Sequence, residues 1–214
     1  MIMKKLIFIS LFLAFSVGIS AQAMKLATNQ QKKEMIATIT RVSASMKTMQ
    51  CSFEQTKHLS IMNDKLVSKG KMFYKQSSQL RWQYVSPYAY TFIINGNKVM
   101  MQSSTKRNVI DVKSSRLFKS ITQIMMNSVT GKSLSNSSDF KVRMFTGDGE
   151  WMAELTPVKK EMKQMFKVIK LYFNVKRGIV STVEMVEKSG DNTVIELNNV
   201  QINKPVNESY FSVD

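Results

Sequence analysis

Apolar residues along the chain change their period several times, and each change predicts a change of element. Met35, Ile39, Val42, Met46 and Met49 recur at steps of three and four, which is one stripe of a helix. The spacing predicts a helix over Thr28–Met49, with Asn29 as its N-cap. From Gln50 onward the period falls to two, and "CSFEQTKHL", "DKLVSKGKMFYK" and "QLRWQYV" read as three strands. "YTFII" and "KVMMQ" follow, joined by Asn95-Gly96-Asn97, a strong short-range hairpin signal. "RNVID" makes a sixth strand. Helical spacing returns over Ser114–Val129 through Leu117, Phe118, Ile121, Ile124, Met125 and Val129, and Gly131 is placed to stop it.

The second half returns to strands. "FKVRMF" and "EWMAELTP" flank Thr146-Gly147-Asp148-Gly149, and "KKEMKQM" reads as a short helical or irregular connection. "FKVIKLYFNV" and "IVSTVEMVE" flank Lys176-Arg177-Gly178, and "NTVIELNNVQI" follows a turn at Ser189-Gly190-Asp191. Phe211 is the anchor expected to dock the tail. The total is about eleven hairpin-linked strands, with no strand–helix–strand alternation to build a parallel sheet. A sheet of that size tends to curl. The expected fold is therefore mainly β (α+β): a half-open antiparallel barrel whose two helices form a lid over an apolar interior.

The N-terminus stands apart from this pattern. Lys4 and Lys5 precede an almost unbroken apolar run, Leu6 to Ile19, and Ala21 and Ala23 supply small residues at −3 and −1. This is the three-part pattern of a secretory signal peptide, cleaved after Ala23. A membrane anchor is the rival reading, but the run is short for a span of about 20 residues. Residues 24–214 are then expected to form one exported, soluble domain.

Charge and chemistry narrow the function. Without Lys4 and Lys5, 29 basic side chains face 15 acidic ones, a net charge of about +14. Such an excess attracts anionic lipid, acidic proteins or nucleic acid, or serves only as a solubilising surface. "QLRWQYVSPY" interleaves bases with aromatics, as single-stranded nucleic-acid platforms do. Export makes nucleic acid an unsuitable partner. Cys51 is the lone cysteine, so no internal disulfide forms, and a small buried apolar role is expected for it. His58 is the lone histidine, which excludes a histidine metal cluster and leaves a Ser/His/acid triad no local support. Asp148 and Glu150 flank a turn glycine, and no phosphate-binding glycine loop is present. No enzyme activity, metal or cofactor is expected. The 17 methionines fit either a surface that accommodates variable ligands or a compositional bias.

Several segments together carry a family resemblance. They are Ser52-Phe53-Glu54-Gln55, Gly70 to Phe73, Arg81 to Pro87 with its Trp-x-Tyr-x-x-Pro, and the hairpin Asn95-Gly96-Asn97-Lys98. Trp151 with Leu155-Thr156-Pro157, then "FKVIKLYFN" and "IVSTVEMVE", continue the match through the C-terminal half. The chain resembles the LolA family of periplasmic lipoprotein carriers. The resemblance implies an unclosed antiparallel barrel whose cavity holds the acyl chains of lipoproteins. The implied partners are acylated lipoproteins, an inner-membrane lipoprotein-releasing transporter and an outer-membrane acceptor, with the carrier a monomer.

Alternation places Leu80, Trp82 and Tyr84 on one face of their strand, the expected cavity wall, with Arg81 and Gln83 facing water. Met72, Phe92, Ile94 and Met101 are the wall candidates from adjacent strands. Leu117, Phe118, Ile121 and Met125 are the candidates for the lid's inner surface. For each, plain core packing is the rival assignment. One departure concerns the lid. Where many family members carry Arg-Pro, with the arginine holding the lid to helix backbone, Gln76 and Ser77 stand here. A latch must then be weaker or built elsewhere. Carriage of another lipid or glycolipid, or a lipoprotein-sensing regulatory role, are the alternative functions.

Overall fold

The computed structural model describes residues 24–61, 64–76, 78–112, 126–127, 130, 134 and 138–213. Strand β1 (Lys25–Leu26) and helix α1 (Asn29–Ser45) open the chain. Six strands follow: β2 (Thr48–His58), β3 (Lys65–Lys75), β4 (Gln79–Ser86), β5 (Tyr90–Asn95), β6 (Lys98–Ser103) and β7 (Arg107–Asp111). Then come β8 (Phe140–Thr146), β9 (Glu150–Pro157), the short helix α2 (Lys160–Met165), β10 (Phe166–Asn174), β11 (Ile179–Glu187) and β12 (Asn192–Ile202). A 3-10 turn at Glu208–Phe211 closes the chain.

The twelve strands form one open sheet in the order β1-β8-β9-β10-β11-β12-β2-β3-β4-β5-β6-β7. Every neighbouring pair is antiparallel. The half-open, mainly β architecture expected from the period of two is the one observed. The additional strand is β1, two residues laid against Phe145 and Thr146, too short for any period to register. Two meanders, β2–β7 and β8–β12, meet at a seam where Ile202 lies opposite Met49 and Asn192 opposite His58. Gly96 takes φ +58° in the two-residue loop between Asn95 and Lys98, where hairpin geometry favours glycine.

Helix α1 begins one residue later than expected, at Asn29. Thr28, not Asn29, is the N-cap: its hydroxyl accepts from the Gln31 N–H at 3.2 Å, and Gln31 Oε1 accepts from the Thr28 N–H at 2.9 Å. This reciprocal pair is a capping box. The helix also ends sooner, at Ser45, with Met46 as an extended C-cap. Met46 and Met49 are buried all the same, but Met49 belongs to β2. The apolar stripe ran on past the helix because Met49, Cys51 and Phe53, the inward positions of the strand, continue it.

The core lies on the concave face of the sheet. Met35 and Ile39 of α1 pack there with Ile169, Leu171 and Phe173 of β10 and with the inward residues of β2–β6. The chain passes from β7 at one edge of the sheet to β8 near the other. Val112 and Leu134 of this connection join the core, and Met126 packs against it. Met126, Asn127 and Thr130 are helical, and the Thr130 hydroxyl donates to the Met126 carbonyl at 2.9 Å. The rest of the helix expected over Ser114–Val129 lies outside the described residues, as do Leu117, Phe118, Ile121 and Met125 and the expected signal peptide.

The outer face of β8–β11 carries a row of charges. Arg143, Glu154, Lys170 and Glu184 stand opposite one another across β8–β11, alternating in sign. Arg143 Nε donates to Glu154 at 3.0 Å and Lys170 Nζ to Glu184 at 3.1 Å. Directly opposed unlike charges of this kind stabilise a sheet modestly. Among the described residues no helix is long and apolar enough to cross a membrane.

Candidate functional site

Strand register assembles the inner wall into rows. Cys51 on β2 faces Met72 on β3, which faces Trp82 on β4, then Phe92 on β5 and Met101 on β6. A parallel row runs Met49, Tyr74, Leu80, Ile94 and Val99. All seven expected wall residues, Met72, Leu80, Trp82, Tyr84, Phe92, Ile94 and Met101, therefore share this concave face. The result is an apolar surface that crosses five strands and carries Phe, Trp, Tyr, Met and aliphatic groups.

Burial grades along each strand. Leu80 and Ile94 are 0% exposed and Trp82 8%, whereas Tyr84, Phe92 and Met101 are only partly covered. Beyond them Val85 and Tyr90 are exposed. The wall is thus sealed at the end that carries Leu80 and Ile94, and the other end opens toward the turns that join β2 to β3 and β4 to β5.

Phe53 is the wall residue that sequence reasoning passed over as a candidate. Its ring stacks on the Trp82 indole at 4.2 Å and meets the Tyr84 ring edge-on at 5.2 Å. Phe53 and Trp82 stand on β2 and β4, so the pair closes across β3 above Gly70. A Cβ on Gly70 would lie 2.4 Å from Phe53 Cζ and 2.1 Å from the Gln83 carbonyl oxygen. The glycine in "SKGKMFY" was the available signal, since an isolated glycine in a strand marks close approach of a neighbour. The Tyr84 hydroxyl donates to Gln55 Oε1 at 2.9 Å, and burial pushes the phenol above its ordinary pKa.

The convex side of β4 corrects the assignment of Arg81 to open water. Arg81 lies against the C-terminal tail. One guanidinium nitrogen donates to the Tyr210 carbonyl at 3.3 Å, and the group sits 5.7 Å from the Tyr210 ring centroid. Burial there lowers its pKa from the ordinary value. Tyr210 also packs on Phe73 at 4.7 Å, and Asn95 Nδ2 donates to the Phe211 carbonyl at 3.0 Å. Phe211 is 1% exposed, the anchor expected of it, and Val213 covers Ile93 and Met100. The tail is thereby strapped over the outside of the wall. Gln76 is exposed, and its backbone N–H donates to the Lys47 carbonyl at 2.7 Å.

Chemically, the concave face offers hydrocarbon contact with one hydroxyl–amide pair, Tyr84 and Gln55. Burial raises the Cys51 thiol to about 12, so it packs as a small apolar group. His58 is exposed at the end of β2. Among the described residues no group of three or more His, Cys, Asp or Glu side chains is placed to hold a metal ion.

Comparison with known proteins supplies the remaining observation. The family model for the outer membrane lipoprotein carrier protein LolA matches residues 44–214. No curated protein matches the chain by sequence. Among solved structures, an uncharacterized conserved protein from Thermus thermophilus superimposes with TM-score 0.51 at 8% identity, covering 84% of this chain and 91% of that one. A chain of the Pseudomonas aeruginosa MucA/MucB complex gives 0.50 at 9% identity, covering 86% of this chain and 61% of that one. A LolA superfamily protein from Nitrosomonas europaea gives 0.46 at 10% identity, covering 85% and 97%. Similarities at such identity are similarities of fold.

Proposed function

The chain belongs to the LolA family, and from that premise we propose that it is a periplasmic carrier that holds the acyl chains of lipoproteins against its concave face. It would take them from an inner-membrane releasing transporter to an outer-membrane acceptor. The observation that carries this reading is the unbroken apolar row from Cys51 through Met72, Trp82 and Phe92 to Met101, sealed at one end and accessible at the other.

The energetics suit a carrier. Each buried methylene contributes about 0.8 kcal/mol, so one acyl chain of some fifteen methylenes gains roughly 12 kcal/mol. Held without compensation, such cargo would not leave. Without cargo, Leu80, Ile94 and Trp82 of the wall are already buried in the core that Met35 and Ile39 of α1 join. Cargo that reaches them must open this core, and the cost of opening offsets part of the gain and keeps release within reach.

The test is to isolate the protein from its own cell envelope and examine it by native mass spectrometry. Acylated lipoprotein should co-purify from the periplasmic fraction, and Leu80→Glu should abolish it while far-UV circular dichroism shows the sheet intact. Native material free of lipoprotein, or a folded Leu80→Glu that stays loaded, would overturn the reading. A glycolipid or other lipid in place of lipoprotein would reassign the cargo.

A further inference from the structure

Large exposed apolar side chains are gathered at one end of the barrel. Ile61 lies in the turn after β2, Leu66 at the start of β3, Val85 at the end of β4, Tyr88 between β4 and β5, Tyr90 at the start of β5, and Val158 just before α2. Antiparallel pairing brings all these positions to the same end, together with the β6–β7 and β11–β12 turns. Ile61 is 94% exposed and Tyr88 82%. Leu26 and Val109 are also exposed, but they sit on the edge strands, and Tyr210 belongs to the strapped tail. The opposite end is built from turns such as Gly96-Asn97 and Gly147–Gly149 and carries no such cluster among the described residues.

Exposed lysines surround the apolar tips. Lys65 opens β3, Lys106 lies in the β6–β7 turn beside Tyr90 and its neighbour Ser103, and Lys188 lies in the β11–β12 turn. Among the described residues neither Lys65 nor Lys106 has a carboxylate partner, whereas Lys57 on the same end is tied to Glu187 at 2.9 Å. Tyrosine and isoleucine projecting from turn tips, ringed by unneutralised lysines, match a surface that is apolar beneath and anionic on top. Tyrosine in particular prefers the headgroup level, where its ring is sheltered and its hydroxyl wet. The tips are highly exposed and lie on separate turns, so a deformable planar partner meets them together where a rigid protein pocket would not.

We propose that this end of the barrel docks directly on an anionic lipid surface, with Ile61 and Tyr88 entering the headgroup layer and Lys65 and Lys106 held by lipid phosphates. It is the end toward which Tyr84, Phe92 and Met101 leave the inner wall accessible, so docking would turn the open end of the wall toward the bilayer. The inference goes beyond acyl carriage, and its test uses neither cargo nor transporter. Failure here would leave the carrier reading untouched.

The experiment is flotation of the purified protein with protein-free vesicles of phosphatidylcholine, with or without phosphatidylglycerol. Binding should require phosphatidylglycerol and weaken as salt rises. The double variant Ile61→Ser/Tyr88→Ser should lower partitioning at least about tenfold through lost apolar burial. Lys65→Gln and Lys106→Gln should each cost about fivefold. Tyr88→Trp should gain emission that shifts to the blue on binding and is quenched by brominated lipid. No flotation with anionic vesicles would overturn the proposal. Flotation undiminished in Ile61→Ser/Tyr88→Ser would also overturn it. So would binding seen only with vesicles that contain membrane proteins, and that result would assign this end to a protein partner.

Discussion

The ring of Phe53 rests on the indole of Trp82 across an intervening strand, centroids 4.2 Å apart and planes 29° from parallel. Two aromatic side chains on strands two apart can meet only if the strand between them carries nothing at that point. Gly70 supplies the gap. Replacing Gly70 with Ala should therefore cost about 3 kcal/mol, at the upper end of overpacking penalties, because a backbone carbonyl as well as a ring must yield. Urea unfolding followed by tryptophan fluorescence would measure it, and Ser68→Ala on the same strand serves as the control.

Removing the guanidinium that holds the tail has a different signature. Arg81→Ala should cost about 1 kcal/mol, the sum of a weak hydrogen bond and an exposed cation–π contact. The loss should be local. Hydrogen exchange by mass spectrometry should speed up in the peptide spanning Glu208–Phe211 while β10 and β11 remain protected.

Cys51 offers a chemical readout of the closed core. With its thiol held at about 12 by burial, the thiolate is scarce at pH 8. A disulfide reagent such as DTNB should leave the folded protein unmodified over hours and react stoichiometrically once urea passes the unfolding midpoint.

At the open end, Lys57, Glu187, Asp191 and Ser60 are bound together. The Ser60 N–H and hydroxyl each donate to Asp191 at 2.9 Å, and chiefly these bonds, with help from Lys57, hold the carboxyl below its ordinary pKa. A depressed carboxyl stabilises the fold above its unfolded pKa, about 3.9, and that contribution is lost as pH falls through the lower folded value. Asp191→Asn should thus melt below the parent protein at neutral pH, and the gap should close in acid. The Glu187 hydrogen bond raises the Lys57 pKa, so its contribution is full below about 10.4 and lost as pH rises through the higher folded value. Melting temperatures from pH 2 to pH 11 would test both limbs.

Local pattern made most of the wall readable from the chain alone. Alternation in "QLRWQYV" placed Leu80, Trp82 and Tyr84 together, and the Asn-Gly turn fixed the partner of Ile94 and Phe92. What escaped depended on residues far apart in sequence. The end of α1 was overrun because Met49 satisfies both the helical stripe and the inward positions of β2. Arg81 looked solvated because nothing nearby in the chain announces a tail that arrives 129 residues later. Phe53 was visible in its motif, but its partnership with Trp82 requires knowing that β3 lies between them and that Gly70 is the residue opposite.

The order of the sheet also sets a timetable. Strands β2 to β7 pair with neighbours in sequence, and so do β8 to β12. The seam between β12 and β2 does not, since Met49 and Ile202 belong to different meanders with nearly the whole sheet between them in sequence. Closing so long a loop carries an entropy cost that local hairpins avoid. Until that seam closes, β2 has a neighbour on one side only, and the wall that Cys51 begins is an exposed edge.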